Sequence, residues 1–147
     1  MATYDNVQGS AVFPDTKRPL CIFERLLDCD TNNQAAGVIV DMIDIPANTF
    51  VLAVFAEIET AEGGTLTFDV GDSNAGDNYL NGANGNVTAG TRICGDGSTG
   101  SAALTASMTA IVSKHYTSAD TITLTVVNAA DTAKIRLKVL AQNIADV

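Results

Sequence analysis

The sequence predicts an all-β sandwich built as one domain, and three stretches predict it. In residues 65–70, Leu66, Phe68 and Val70 alternate with Thr65, Thr67 and Asp69. In residues 121–126, Ile122, Leu124 and Val126 alternate with threonines, and in residues 134–139, Ile135, Leu137 and Val139 alternate with Lys134, Arg136 and Lys138. A period of two sends one set to a buried face and the other to water, and turn residues at the ends fix the strand limits. With 147 residues the chain suits a single domain with one sizeable core. Aromatic residues are 5% and Trp is absent, so Val, Ile, Leu and Ala must fill that core.

Residues 1–19 read as an extended N-terminal arm, and residues 20–147 as the sandwich domain. Pro14 and Pro19 disfavour a helix or a central strand. Such an arm can be a frayed terminus. Tyr4, Val7, Val12 and Phe13 carry more apolar area than a free tail usually holds, so docking against a neighbour or its own domain stands beside disorder. Residues 20–27 are apolar on both alternating sets apart from Glu24 and Arg25, which leaves strand and short helix open. After a loop at Asn32-Asn33-Gln34 and Gly37, the chain turns a corner at Pro46-Ala47-Asn48.

Phe50, Leu52, Val54, Ala56 and Ile58 are then expected on one strand face, with Glu57 and Glu59 marking the opposite face as wet. Residues 71–103 hold eight of the twelve glycines and read as a long loop pinned at Tyr79 and Leu80, functional or mobile. Leu104, Ala106, Met108, Ala110 and Val112 mark a further strand. Asn128-Ala129-Ala130-Asp131 is expected to join the last two strands as a C-terminal hairpin. The expected core is Leu52, Val54, Leu66, Phe68, Ile122, Leu124, Ile135 and Leu137.

Formal charge is −9. A surface this acidic repels phosphate backbones, so no nucleic-acid partner is expected. Cys21, Cys29 and Cys94 lack the CxxC spacing of zinc or redox sites. They read as free thiols of a protein assembled in a reducing cytoplasm, with a Cys21–Cys29 bridge left open. The first residues lack the basic start and apolar core of a signal peptide. The apolar run at residues 50–56 is far short of the roughly 20 residues that span a bilayer, so no membrane partner is expected.

No catalytic constellation accompanies the strands, and no enzyme activity or cofactor is expected. His115 is the single histidine, without a GxSxG nucleophile or an orienting acid marked nearby, and reads as a surface or strand-end residue. The acids show no pair marked for hydrolysis. Asp69, Asp72, Asn74 and Asp77 around Gly71 and Gly76 resemble a calcium loop superficially. The EF-hand pattern fails because Ala83 stands where its closing Glu belongs, and Asp, Asn and Gly are ordinary turn residues; no metal is expected. Lys134, Arg136 and Lys138 share a strand face. Solvation is the first reading of this stripe, contact with an acidic partner or adjacent subunit the second, and protection of a sheet edge the third.

The runs Val40-Asp41-Met42-Ile43-Asp44-Ile45-Pro46-Ala47-Asn48-Thr49, Thr65-Leu66-Thr67-Phe68-Asp69-Val70-Gly71-Asp72 and Asp120-Thr121-Ile122-Thr123-Leu124-Thr125-Val126 resemble a group of tailed-phage virion proteins. The chain is similar there to head decoration, or cement, proteins, over roughly residues 38–80 and 116–140. The resemblance implies a jelly-roll sandwich clamped on the outer capsid surface, assembled in the host cytoplasm, with the major capsid protein as partner and the chain itself as a homotrimer. It brings no catalytic residues. On this reading Tyr4, Val12 and Phe13 are candidate apolar anchors to the shell or a neighbouring subunit, and Lys134, Arg136 and Lys138 weaker candidates for the subunit contact. The alternative is a glycan-binding or receptor-binding module of a virion fibre, for which Tyr4, Tyr79 and Tyr116 would be the aromatic platforms.

Overall fold

The structure, a computed structural model, describes residues 20–95, 101–103 and 113–144. Among these, ten strands form two antiparallel sheets and no helix is present. The strands are β1 (Leu20–Asp28), β2 (Ile39–Ile45), β3 (Thr49–Thr60), β4 (Thr67–Gly71), β5 (Leu80–Asn84), β6 (Arg92–Gly95), β7 (Ser101–Ala103), β8 (Lys114–Tyr116), β9 (Asp120–Val126) and β10 (Lys134–Asn143). One sheet runs β1-β10-β3-β6-β7 with β8 also paired to β3, and the other runs β2-β9-β4-β5. Strands from the two ends of the chain thus pair, β1 with β10 and β2 with β9, the winding of a jelly roll.

The alternating residues supply the core, as expected. Phe68, Ile122, Leu124, Ile135 and Leu137 are fully buried, and Leu66 and Val54 nearly so. Each such side chain contributes roughly 1.5–3 kcal/mol by leaving water. Tyr79 and Leu80 are buried too, as the pinning residues of their segment.

Three expectations are corrected. Leu52 is half-buried and outside the core, and so is Phe50. Val54, Ala56 and Ile58 face inward together with Val51 and Thr49, because the pairing with β10 skips Leu52: Ala141 pairs Val51 while Leu140 pairs Ala53. One extra residue at this bulge inverts the alternation of everything before it. Second, β9 and β10 do not form a hairpin. Their connection crosses from one sheet to the other, so both strands present their apolar sets to the same core from opposite sides. Third, residues 71–103 contain β5, β6 and β7 rather than an uninterrupted loop. Of the two readings left open for residues 20–27, strand holds, since they pair along β10 throughout. The arm (residues 1–19) and the expected strand at residues 104–112 lie outside the described residues.

The Pro46 corner also crosses between sheets. Asn48 takes the left-handed backbone (φ 58°) that short polar side chains tolerate, and its carbonyl accepts from the Ile144 N–H at 2.7 Å.

Candidate interaction surface

The basic stripe sits on the outer face of the larger sheet. β10 lies between β1 and β3, so these residues cannot guard an edge, and that reading is corrected. The register places acids beside each base: Asp28 opposite Lys134, Glu24 opposite Lys138, Glu57 opposite Arg136. Lys134 Nζ lies 3.1 Å from Asp28 and 3.7 Å from Asp30. Arg136 donates to Glu59 through Nε and approaches Glu24 at 3.3 Å through Nη1. Lys138 Nζ lies 2.7 Å from Glu57, which also takes Arg92 Nε at 3.3 Å. The hydrogen bond to Asp28 holds the Lys134 ammonium charged to higher pH, and that to Glu59 does the same for Arg136. The Lys138 hydrogen bond lowers the Glu57 carboxyl despite some burial. Pairs this exposed add little stability; they cancel charge on the face. Tyr4, Val12 and Phe13 lie outside the described residues.

A buried carboxylate closes one end of the sandwich. Asp72 follows β4, and its Oδ1 accepts from the backbone N–H groups of Asn74 (2.9 Å) and Ala75 (3.4 Å), an Asx turn. Its Oδ2 accepts from Lys114 Nζ at 2.5 Å and Tyr116 Oη at 2.6 Å, both on β8 of the other sheet. Tyr116 Oη also lies 2.6 Å from Tyr79 Oη; since Tyr116 gives its proton to Asp72, Tyr79 donates to Tyr116. The Lys114 ammonium sits 4.7 Å over the Tyr116 ring. Burial opposes the Asp72 charge, but donors from Lys114, Tyr116, Asn78 and Asn74 outweigh it and hold the carboxyl far below the usual range. Burial pushes the Tyr79 phenol up to about 12 and Tyr116 higher still. Gly71 makes the turn possible: a Cβ there would stand 2.0 Å from the Ala75 carbonyl oxygen.

A second carboxylate closes the other end. Glu62, 6% exposed, accepts from the backbone N–H groups of Asp131 and Thr132, each at 3.2 Å, and of Ala133 at 3.0 Å. Burial opposes its charge, and these three donors still leave the carboxyl below its ordinary value. They satisfy the backbone of the crossing between β9 and β10, where a pair of hydrogen bonds between Gln34 and Ala130 adds a further tie. Sequence reading meets Asp72 only as part of the calcium-like loop and misses Glu62 altogether. Gly71-Asp72-Ser73-Asn74 does carry an Asx-turn signal, whereas nothing in Ala61-Glu62-Gly63-Gly64 distinguishes Glu62 from an exposed turn residue.

His115 is exposed on β8 with its ring 6.5 Å from that of Phe50, and no nucleophile contact is described for it. The acids of the calcium-like loop are occupied by N–H donors: Asp69 takes Gly82 N at 2.7 Å and Asp77 takes Asn81 Nδ2 at 3.0 Å. Among the described residues no group of three metal-ligating side chains converges. The three cysteines form no disulfide, and Cys29 is fully buried with its thiol pushed up to about 11 by burial and by the nearby Glu62 charge.

The face that carries the basic stripe also has an apolar end, unmarked in the sequence. Leu20 (57% exposed) and Ile22 (64%) stand on β1, the outermost strand of its sheet. Phe23 follows them on the other side of the strand, beside buried Val139.

No family model and no curated protein matches the chain. Solved structures do. The chain is similar to a chain of the acidic stable capsid structure of Helicobacter pylori bacteriophage KHP30, at 15% identity and a TM-score of 0.55, covering 84% of this chain and 86% of that one. It is also similar to a chain of the cyanophage Pam1 capsid asymmetric unit, at 18% identity and a TM-score of 0.57, covering 86% and 85%. At such identities the likeness establishes a shared fold, a β-sandwich of jelly-roll type.

Proposed function

We propose that this protein is a non-enzymatic structural component of a phage virion, which decorates the outside of the capsid and stabilises it by bridging major capsid protein subunits as a homotrimer. The observation that carries the reading is the fold likeness, over 84–86% of each chain, to chains of two phage capsid structures. It agrees with the virion-protein motifs along β2, β4 and β9. The construction suits such a role. A double sheet, tied at each end by a buried carboxylate, presents an outer face on each side. An expanded shell is thin and under pressure from packaged DNA, so contacts added across subunit boundaries raise the barrier to rupture.

Residues 1–19 are the proposed tether, with Tyr4, Val12 and Phe13 as apolar anchors on a neighbouring subunit or the shell. Specific interfaces bury about 800 Å² per partner, and three linked copies bind far more tightly than one. Lys134, Arg136 and Lys138 serve a subunit contact by keeping their face near neutral, since each already holds an acid of its own chain. The sugar-binding alternative is disfavoured because Tyr79 and Tyr116 are 1% and 3% exposed and offer no platform. Co-sedimentation of the purified protein with capsids lacking it tests the proposal, with deletion of residues 2–19 as the second arm. Saturable binding that the deletion weakens supports it, and absence of binding refutes it.

A further inference from the structure

The outer face of the larger sheet divides into two zones along the strands. Toward the β1 C-terminal end, the cross-strand rows carry the paired charges described above. Toward the β1 N-terminal end, the rows lose their charges and become largely apolar. Ile22 pairs Leu140, which pairs Ala53; Leu20 pairs Gln142, which pairs Phe50, which pairs His115. Neighbouring members of such rows lie about 5 Å apart, so Leu20, Ile22, Leu140, Ala53 and Phe50 form one mostly apolar patch that Gln142 interrupts. Ile22 and Leu20 are its most exposed members, and Leu140 and Phe50 are half-buried. A contiguous exposed apolar patch rimmed by charge is the signature of an interaction site.

We infer that this patch is the surface on which a second copy of the chain docks. The choice of occupant follows from charge. The face and its rim carry the acids Glu24, Asp28, Asp30, Glu57 and Glu59 against the bases Arg92, Lys134, Arg136 and Lys138, joined in ion pairs. Five acids against four bases leave this face one net negative charge of the nine, and the rest of the molecule holds the others. A second copy bearing −9 is repelled from the other surfaces and meets little repulsion here. Among the described strands β1 is the outermost of its sheet, and its outer side supports the same occupant. Over Leu20–Phe23 it carries four consecutive apolar residues and none of the charges that blunt an edge; Arg25, further along, turns instead to the carbonyls of Asp41 (3.1 Å) and Met42 (3.3 Å). The inference rests on the homo-oligomer part of the proposed function and gives that contact its address.

The test is sedimentation velocity on the purified full-length chain without capsids. The wild type should sediment as an oligomer of the 15.2 kDa chain. Ile22→Asp should weaken self-association at least tenfold and yield monomer with the wild-type far-UV circular dichroism spectrum, because Ile22 is largely exposed. Leu20→Asp should act alike. Ile39→Asp, at an exposed apolar residue of the other sheet (64%), should leave the oligomer intact. A monomeric wild type, or an Ile22→Asp variant that associates like wild type, overturns the inference. A wild type that becomes oligomeric only on deleting residues 2–19 also overturns it, by showing that the chain's own arm covers the patch. Capsid co-sedimentation separates the two claims. Monomeric wild type that still binds capsids removes this surface and leaves decoration standing, while an oligomer that Ile22→Asp dissolves but that ignores capsids does the reverse.

Discussion

Replacing Asp72 by Asn perturbs the end of the sandwich with almost no change of volume. The amide keeps one oxygen for the Asn74 and Ala75 N–H groups but turns an NH₂ toward Lys114 Nζ and Tyr116 Oη, both of which are donors. A hydrogen bond to a charged group is worth about 1.5–3 kcal/mol, and breaking a buried ion pair on one side costs about 3–5 kcal/mol. Lys114, 28% exposed, can swing into water and recover much of its share; Tyr116, 3% exposed, cannot. The expected loss is about 2–4 kcal/mol. For a chain of this size about 2–4 °C of melting temperature goes with each kcal/mol, so the midpoint should fall by about 4–16 °C.

The pH dependence sharpens the test. The folded carboxyl is held well below its ordinary value near 3.8, so its stabilisation is complete above that value and fades as pH falls from there toward the depressed folded one. The gap between wild type and Asp72→Asn should therefore be constant from neutrality to about pH 5 and narrow below about pH 4. Thermal melts followed by circular dichroism at several pH values read both. A variant melting within about 2 °C of wild type at neutral pH would falsify the argument that this carboxylate ties the sheets together.

Truncating Phe68, fully buried, to Ala should cost about 3–5 kcal/mol in urea unfolding, whereas Leu52→Ala at the bulge should cost at most about 1.5 kcal/mol. Equal costs would contradict the inverted alternation in β3. Glu62→Ala leaves three backbone N–H groups without their acceptor and should lose about 2–4 kcal/mol, with hydrogen exchange rising at Asp131, Thr132 and Ala133. Unchanged exchange there would remove Glu62 from the crossing. Under native conditions a maleimide should modify half-exposed Cys21 first and reach Cys29 only on unfolding, as mass spectrometry of timed samples can show.

The fold is most legible in the sequence where one strand face is wholly apolar and the other wholly polar. Ile122, Leu124 and Val126 against threonines admit a single register, and they are buried as the alternation requires. The first half of β3 misleads because Leu52 and Ala53 are both apolar, so a bulge there leaves no mark in the pattern. β5 is hidden for the opposite reason. Leu80-Asn81-Gly82-Ala83-Asn84 has turn composition, and it is a strand because β4 offers it a partner and the core accepts Leu80 and Ala83. The absence of a hairpin is illegible too, since β9 and β10 would show the same alternation in one sheet or two. Of the candidate surface, the basic stripe is visible but its partners are not. Asp28, Glu24, Glu57 and Glu59 are scattered along the chain and meet Lys134, Arg136 and Lys138 only through the pairing of β1 and β3 with β10.

The most direct test of the virion reading is a cryo-electron microscopy reconstruction of expanded capsids incubated with the purified protein, paired with their thermal rupture temperature. The account predicts added density of jelly-roll size on the outer surface, bridging neighbouring shell subunits, and a higher rupture temperature at saturation. Bare capsids, with rupture unchanged at the highest protein concentration, would contradict it.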